Sequence, residues 1–281
     1  MHLAAVIPPA IYRHAKVGRK VNVEATATLV RAAESQPTKP RFVLASSNAV
    51  HGARNPYRVT DLLRADSPLH PSDLYGGHKV EAERRVRCSA LDWAVLRLGG
   101  VLSADLGATT LDLDGLMFGA ALPTDGRMHA IDVRDVASAF AAATTADVVG
   151  EVLMIGGDES YHLRQGEAGS ALAAASGLAG TLPAGRPGDP NSDADWFVTD
   201  WMDTARAQQA LSFQRHSWPD LLAELRTNVG WQRYLARLVS PAARQFLKRY
   251  APYRNWPGQY SDPWSVIRGR WGEPGPDSEV S

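Results

Sequence analysis

Short apolar runs closed by serine or glycine alternate, through the first 157 residues, with stretches whose apolar positions recur at helical spacing. Arg41-Phe-Val-Leu-Ala45 runs into Ser46-Ser47-Asn48, Trp93-Ala-Val-Leu-Arg-Leu98 ends in Gly99-Gly100, and Glu151-Val-Leu-Met-Ile155 is closed by Gly156-Gly157. Brief runs without polar alternation predict strands covered on both faces, as in a parallel sheet. Between them, Val21 to Ala33 is rich in Ala, Val and Leu, and Gly77 to Ser89 carries Glu81, Glu83, Arg84, Arg85 and Arg87 on a mostly solvated face. Asp132-Val-Arg-Asp135 resembles a capping box and opens a third helix that continues through Ala143. The alternation predicts an α/β chain with a doubly wound parallel sheet.

After residue 157 the pattern changes. Residues 158–200 read as loops around one Ala-rich helix at about 168–177, Asp203 caps a helix to Leu211, and Ser217-Trp-Pro-Asp-Leu starts another. From Gly230 onward a third zone begins. Trp231, Tyr234, Leu235, Leu238 and Val239 form a helical stripe, Ser240-Pro241 restarts a helix with Phe246, Leu247 and Tyr250 on one side, and the final ten residues read as disordered.

Charge sharpens this division. The 281 residues carry 30 Lys+Arg and 30 Asp+Glu, yet residues 229–271 hold eight Lys/Arg against the single acid Asp262. The tail is therefore +7 and the remainder −7. Two readings fit the tail: helices packing Trp and Tyr inward with Arg in solvent, or an amphipathic surface that docks on an anionic membrane or a partner protein. Global neutrality removes any whole-protein case for nucleic acid. The one cysteine, Cys88, permits no intramolecular disulfide, and the eight histidines form no H-x-x-x-H pair, so a reducing, cytoplasmic compartment and no metal are expected.

The sharpest chemical feature is Tyr75-Gly-Gly-His-Lys79, downstream of a strand ending in Ser46-Ser47. Tyr and Lys four apart share one helix face. An ammonium so placed can pull a phenol from about 10 toward neutrality, and such a Tyr can give or take a proton at a carbonyl or alcohol. His78, inside this turn, reads as a surface residue, and Asp132 and Asp135 read as caps.

Six segments in order extend this pattern: His2-Leu-Ala-Ala5; Asn22-Val-Glu-Ala-Thr26; Phe42-Val-Leu-Ala-Ser-Ser-Asn-Ala-Val-His-Gly52; Tyr75 to Lys79; Val95-Leu-Arg-Leu98; and His129-Ala-Ile-Asp-Val-Arg-Asp-Val-Ala137. Together, over about residues 1–228, they resemble the extended short-chain dehydrogenase/reductase family, also called the NAD-dependent epimerase/dehydratase family. The resemblance implies a Rossmann-like domain over 1–157, with 104–128 contributed to a substrate lobe that continues over 158–228, and a basic helical extension over 229–281. It implies Tyr75 as catalytic acid/base, Lys79 as the group that tunes it and holds the nicotinamide ribose, and Ser47 as the holder of the reacting oxygen, with Ser46 as the alternative. Leu3, Ala4, Ala5, Ile7, Asn22, Gly99 and Gly100 would meet the cofactor, NAD or NADP. Family members often dimerise through helices matching 21–33 and 77–89, so a homodimer is expected.

Two departures stand out. The family begins with a strand, a Gly-x-x-Gly-x-x-Gly turn and a helix whose N-terminus receives the pyrophosphate. This sequence has no such pattern. It starts at what resembles the fourth strand, which suggests a truncated gene model short of roughly 60 residues, two βαβ-sized pieces. Leu96-Arg-Leu-Gly-Gly100 also lacks the Asn that helps seat a nucleotide-sugar in the family. The expected reaction is hydride transfer to or from a carbonyl or secondary alcohol. The alternatives are a nucleotide-sugar epimerase or dehydratase, and a non-catalytic binding protein that has lost the cofactor loop.

Overall fold

A computed structural model describes residues 1–105 and 113–277. Residues 106–112, part of the segment assigned to the substrate lobe, and 278–281, the end of the tail, lie outside the described residues.

The chain opens with an extended segment whose His2 bridges Leu44 in parallel, then helices α1 (Ala10–Arg13) and α2 (Ala15–Arg19). A π-helical turn at Lys20–Glu24 leads into α3 (Ala25–Glu34). Next come β1 (Phe42–Ser47), α4 (Leu74–Arg87), β2 (Trp93–Leu98), β3 (Gly100–Leu102), α5 (Leu113–Ala121), β4 (Arg127–Asp132), α6 (Val133–Ala143) and β5 (Glu151–Ile155). The second half holds β6 (His162–Arg164), α7 (Gln165–Ala175), α8 (Ala205–Leu211), α9 (Trp218–Val229), α10 (Gln232–Lys248) and α11 (Pro263–Arg270).

β1, β2 and β5 form a parallel sheet in the order β1-β2-β5, aligned so that Ser47 lies beside Leu98 and Leu98 beside Ile155. Strand alternation sends Val43 and Ala45 to one face and Phe42 and Leu44 to the other. The first face packs on α6 and α8 through Val136, Phe140, Leu211 and Phe213. The second packs on α3 and α4 through Val30, Ala82 and Val86. Helices on both faces explain why the strands are apolar throughout, and the expected doubly wound sheet is present. α8 lies within the stretch assigned to the smaller lobe, but its apolar face is buried against the main sheet.

A second sheet, β3-β4-β6, pairs β3 with β4 in parallel and β4 with β6 antiparallel. Its core joins Met128 and Leu163 to Ala168 of α7 and Leu221 and Leu225 of α9.

The tail departs from expectation in two ways, at Pro241 and at its end. Pro241 does not restart a helix, because α10 runs through it without a break. Residues 253–271 are packed, with Tyr253, Val266, Ile267 and Trp271 buried against Ile11, Tyr12, Leu74 and Met117. Residues 272–277, read as disordered, are anchored: Pro274 accepts a hydrogen bond from the Leu74 amide, and Asp277 pairs with Arg19 and His78. Those contacts bury His78, which is therefore no surface residue. Asp132 caps α6 by accepting from the Arg134 amide. Asp135 completes no capping box; its buried carboxylate accepts from the backbone of Arg215 and His216 and from the His216 ring.

Candidate active site

Ligand crevices in open α/β sheets lie beyond the carboxyl ends of the strands. Here β1 ends at Ser47 and β2 runs into Gly99-Gly100, and both border a cavity of about 360 Å³. Its floor carries Ser47, Asn48, Tyr75 and Lys79; Leu3, Ala5, Ile7, Leu98, Val101, Phe118 and Phe197 make apolar walls.

The first turn of α4 fixes Tyr75. Asp73 caps the helix by accepting from the Gly76 amide at 2.9 Å, and its other oxygen accepts from the Tyr12 hydroxyl at 2.7 Å. Burial raises the Asp73 carboxyl to about 6, against the pull of these hydrogen bonds. A Cβ on Gly76 would lie 2.4 Å from the Ala49 carbonyl, so glycine is required where α4 crosses the end of β1.

The Lys79 ammonium donates to the Ala45 carbonyl at 2.7 Å and lies 5.6 Å from the Tyr75 ring centre. Burial lowers Lys79 to about 8, with Glu83 opposing the shift. Burial also dominates Tyr75, pushing its phenol above the ordinary value; a hydrogen bond with Ser47 pulls the other way, and the Asp73 carboxylate adds to the rise. Tyr75 is thus held as a proton donor, and the expected pull toward neutrality by Lys79 is not among the influences on its phenol, where burial dominates.

The two serines divide. Ser46 Oγ donates to Glu83 at 2.5 Å, within a buried cluster where Arg97 grips both Glu83 oxygens at 2.9 and 2.7 Å. Ser47 Oγ accepts from the Ala49 amide at 3.2 Å and sits within reach of Tyr75.

Leu3, Ala5 and Ile7 line the cavity because alternate residues of an extended chain point the same way; Ala4 falls on the other side. Asn22 is not in the cavity wall. Its side chain forms paired hydrogen bonds with the Val6 backbone, at 2.8 and 2.9 Å, and holds that wall from behind. Gly99 and Gly100 border the cavity, but a Cβ at Gly99 would lie 2.2 Å from the His129 carbonyl. Gly99 is thus needed for the approach of β4.

The pattern of motifs missed Asn48, whose buried Nδ2 has no hydrogen-bond partner among the described residues although the residue borders the cavity. It also missed Phe197 and Thr199, which arrive from a loop without periodicity. A larger depression of about 540 Å³ lies along β5 and α8, but its charged groups are already paired, Arg64 with Asp66 and Asp203 and Arg206 with Glu151. Among the described residues no cluster of His, Cys, Asp or Glu could hold a metal ion.

The apolar lining and the adjoining hydroxyls and ammonium suit the nicotinamide and ribose end of a dinucleotide, and Asn48 Nδ2, unpartnered among the described residues, offers a further donor. The sequence supplies no Gly-rich turn for the pyrophosphate.

No family model matches the sequence, and no curated protein matches it. Solved structures do. A short-chain dehydrogenase/reductase superfamily protein from Agrobacterium tumefaciens with bound NAD is 22% identical, with a TM-score of 0.61 over 85% of this chain and 80% of that one. UDP-glucuronic acid 4-epimerase from Bacillus cereus, in complex with UDP-glucuronic acid and NAD, is 20% identical, with a TM-score of 0.60 over 82% and 74%. RMD from Pseudomonas aeruginosa, complexed with NADPH, is 16% identical, with a TM-score of 0.60 over 81% and 79%. Likeness at these identities establishes the Rossmann-like fold shared with these proteins.

Proposed function

We propose that the protein is an NAD(P)-dependent oxidoreductase acting on a carbonyl or secondary alcohol. The observation that carries this reading is the meeting of Tyr75, Ser47 and Lys79 on the floor of one apolar cavity at the strand ends. The nicotinamide supplies or accepts a hydride at the substrate carbon. In the reducing direction the Ser47 hydroxyl holds the substrate oxygen by donating a hydrogen bond, and the Tyr75 hydroxyl gives that oxygen its proton. Lys79 steadies the phenolate left behind and would hold the ribose hydroxyls of a bound cofactor. Leu3, Ala5 and Ile7 would supply the apolar wall for its nicotinamide, with Asn22 bracing Val6. The cofactor-binding part is 1–157, and 104–128 with 158–228 shapes the substrate side.

A second reading, epimerisation or dehydration of a nucleotide-sugar through a keto intermediate, is supported by the bound UDP-glucuronic acid of the Bacillus cereus neighbour. The Gly99-Gly100 end of β2 weighs against it. Titrating the chain with NADH and NADPH by fluorescence, then assaying aldehydes, ketones, UDP-glucose and UDP-glucuronic acid, separates the readings. Turnover of a simple carbonyl supports the first, and turnover of the UDP-sugars alone supports the second. Absence of cofactor binding leaves a non-catalytic binding protein. In an active preparation Tyr75→Phe lowers turnover by about 10²-fold or more; unchanged turnover removes Tyr75 from the reaction.

The lone cysteine fits a reducing, cytoplasmic setting. A homodimer through 21–33 and 77–89 would use the face beyond His78, since 272–277 lies across the first turns of α4.

A further inference from the structure

Helix α10 presents its apolar face to solvent. The residues turned toward the body of the protein are Arg233, Ala236, Ser240, Ala243 and Leu247, all half-buried. They are held by Arg244 Nε donating to the Gly180 carbonyl at 2.6 Å and Ser240 Oγ to that of Ala179. No residue of α10 is buried. On the opposite side Trp231, Tyr234, Leu235, Leu238, Val239 and Phe246 stand in a row, Leu238 being 78% and Trp231 69% exposed. Seventeen residues of α-helix are about 26 Å long. The row exposes on the order of 700 Å², beyond the roughly 300–600 Å² of the largest patch on a typical monomer.

Charge narrows what covers this face. Arg237, Lys248, Arg249 and Arg254 make no ion pair among the described residues, although the remainder of the chain is −7. A second copy stacked on the same face would bring these cations against their own equivalents. A flat apolar strip with Trp and Tyr among its exposed residues and uncompensated Arg and Lys beside it matches an acyl boundary beneath anionic headgroups. Long basic side chains can extend from such a strip to the headgroup level. Among the described residues no helix is long and apolar enough to cross a membrane. We propose that α10 docks the protein, lying in the plane of the interface, on an anionic phospholipid surface.

Co-sedimentation of the full chain with two kinds of vesicle tests this. One is phosphatidylcholine alone; the other contains phosphatidylglycerol as well. Binding is expected only to the second and should weaken as salt is raised. Leu235→Glu with Leu238→Glu abolishes it, and Arg237→Gln or Lys248→Gln weakens it by about fivefold for each cation removed. All four positions lie on a helix with no buried residue, so the variants should keep the wild-type melting temperature, which separates lost docking from lost folding. Failure to bind phosphatidylglycerol vesicles overturns the proposal, as does equal binding to both kinds of vesicle. Self-association that the double Glu variant removes, without vesicle binding, gives the face to a second copy. Binding of poly-glutamate without vesicle binding gives it to an acidic protein.

Discussion

Burial moves the two central groups of the candidate site in opposite senses. The Lys79 ammonium loses its hydration and drops to about 8, while the Tyr75 phenol, better solvated when ionised, rises above its ordinary value. Lys79 is therefore charged at pH 7 and neutral at pH 9, and only in the charged state can it steady a Tyr75 phenolate. The expected consequence is that kcat/KM falls as pH rises through about 8. In Lys79→Arg, whose guanidinium stays charged, the surviving activity should lose that limb; a limb unmoved in the variant would assign it elsewhere. The spacing of Tyr75 and Lys79 was legible in the sequence because a helix turn converts a four-residue interval into adjacency. The choice between Ser46 and Ser47 was not, since it depends on which side of β1 each hydroxyl leaves, and Glu83 claims the first. Nor was the placement of Asn22 behind the cavity wall legible, since its pairing with the Val6 backbone joins segments 16 residues apart.

At the level of elements, the site depends on how β1, β2 and α4 are locked together, and the lock is a buried ion pair. Arg97 of β2 and Glu83 of α4 are each about 1% exposed. Arg97 also meets His51 Nε2 at 3.1 Å and the Ala65 carbonyl at 2.8 Å. Removing one partner strands the other charge in the interior. Glu83→Gln should cost about 3–5 kcal/mol in urea unfolding, with Glu83→Gln/Arg97→Met recovering part of it; a loss below about 1 kcal/mol would mean that water reaches the pair. The segment 272–277 acts on the same helix. The Leu74 amide, one of the four that a helix N-terminus leaves without an internal partner, donates to Pro274. Ending the chain after Trp271 should therefore lower turnover through Tyr75 while largely sparing the melting temperature; equal turnover would deny the segment any hold on the site. Strand positions were readable because runs such as Phe42–Ala45 are apolar on both faces. The anchoring of 272–277 was not readable, because its Pro-, Gly- and Asp-rich composition resembles a free tail and its partners lie some 200 residues earlier. Pro241 misled for a related reason: a proline lowers helix propensity, but α10 continues through it.

Across the whole molecule, the clearest consequence of the folded arrangement is its response to acid. His129 Nε2 faces the Gly157 carbonyl at 3.0 Å, and its Nδ1 accepts from the Met202 amide at 3.1 Å, so a second ring proton would point at another donor. His51 is placed similarly, its Nδ1 toward the Pro68 carbonyl and its Nε2 toward the Arg97 guanidinium. Burial lowers both rings from 6.5 to about 4. A folded state that takes up protons less readily than the unfolded chain keeps this stability above pH 6.5 and loses it as pH falls through about 4. The limit is about 3 kcal/mol for each ring. Asp73 works in the opposite sense. Its carboxyl is raised from 3.8 to about 6, so its contribution is full below 3.8 and lost as pH rises through about 6. With two histidines against one aspartate, the melting temperature should fall between pH 6.5 and 4. His129→Gln, with a side chain that can donate to Gly157 and accept from Met202, should remove most of that fall, since the one remaining ring is nearly balanced by Asp73, even where its own packing lowers the curve as a whole. Asp73→Asn keeps a capping side chain but removes the titration, so it should steepen the remaining fall. A wild-type curve that stays level from pH 6.5 to 4, or one that His129→Gln leaves unchanged in shape, would show that these rings are already protonated in the folded protein.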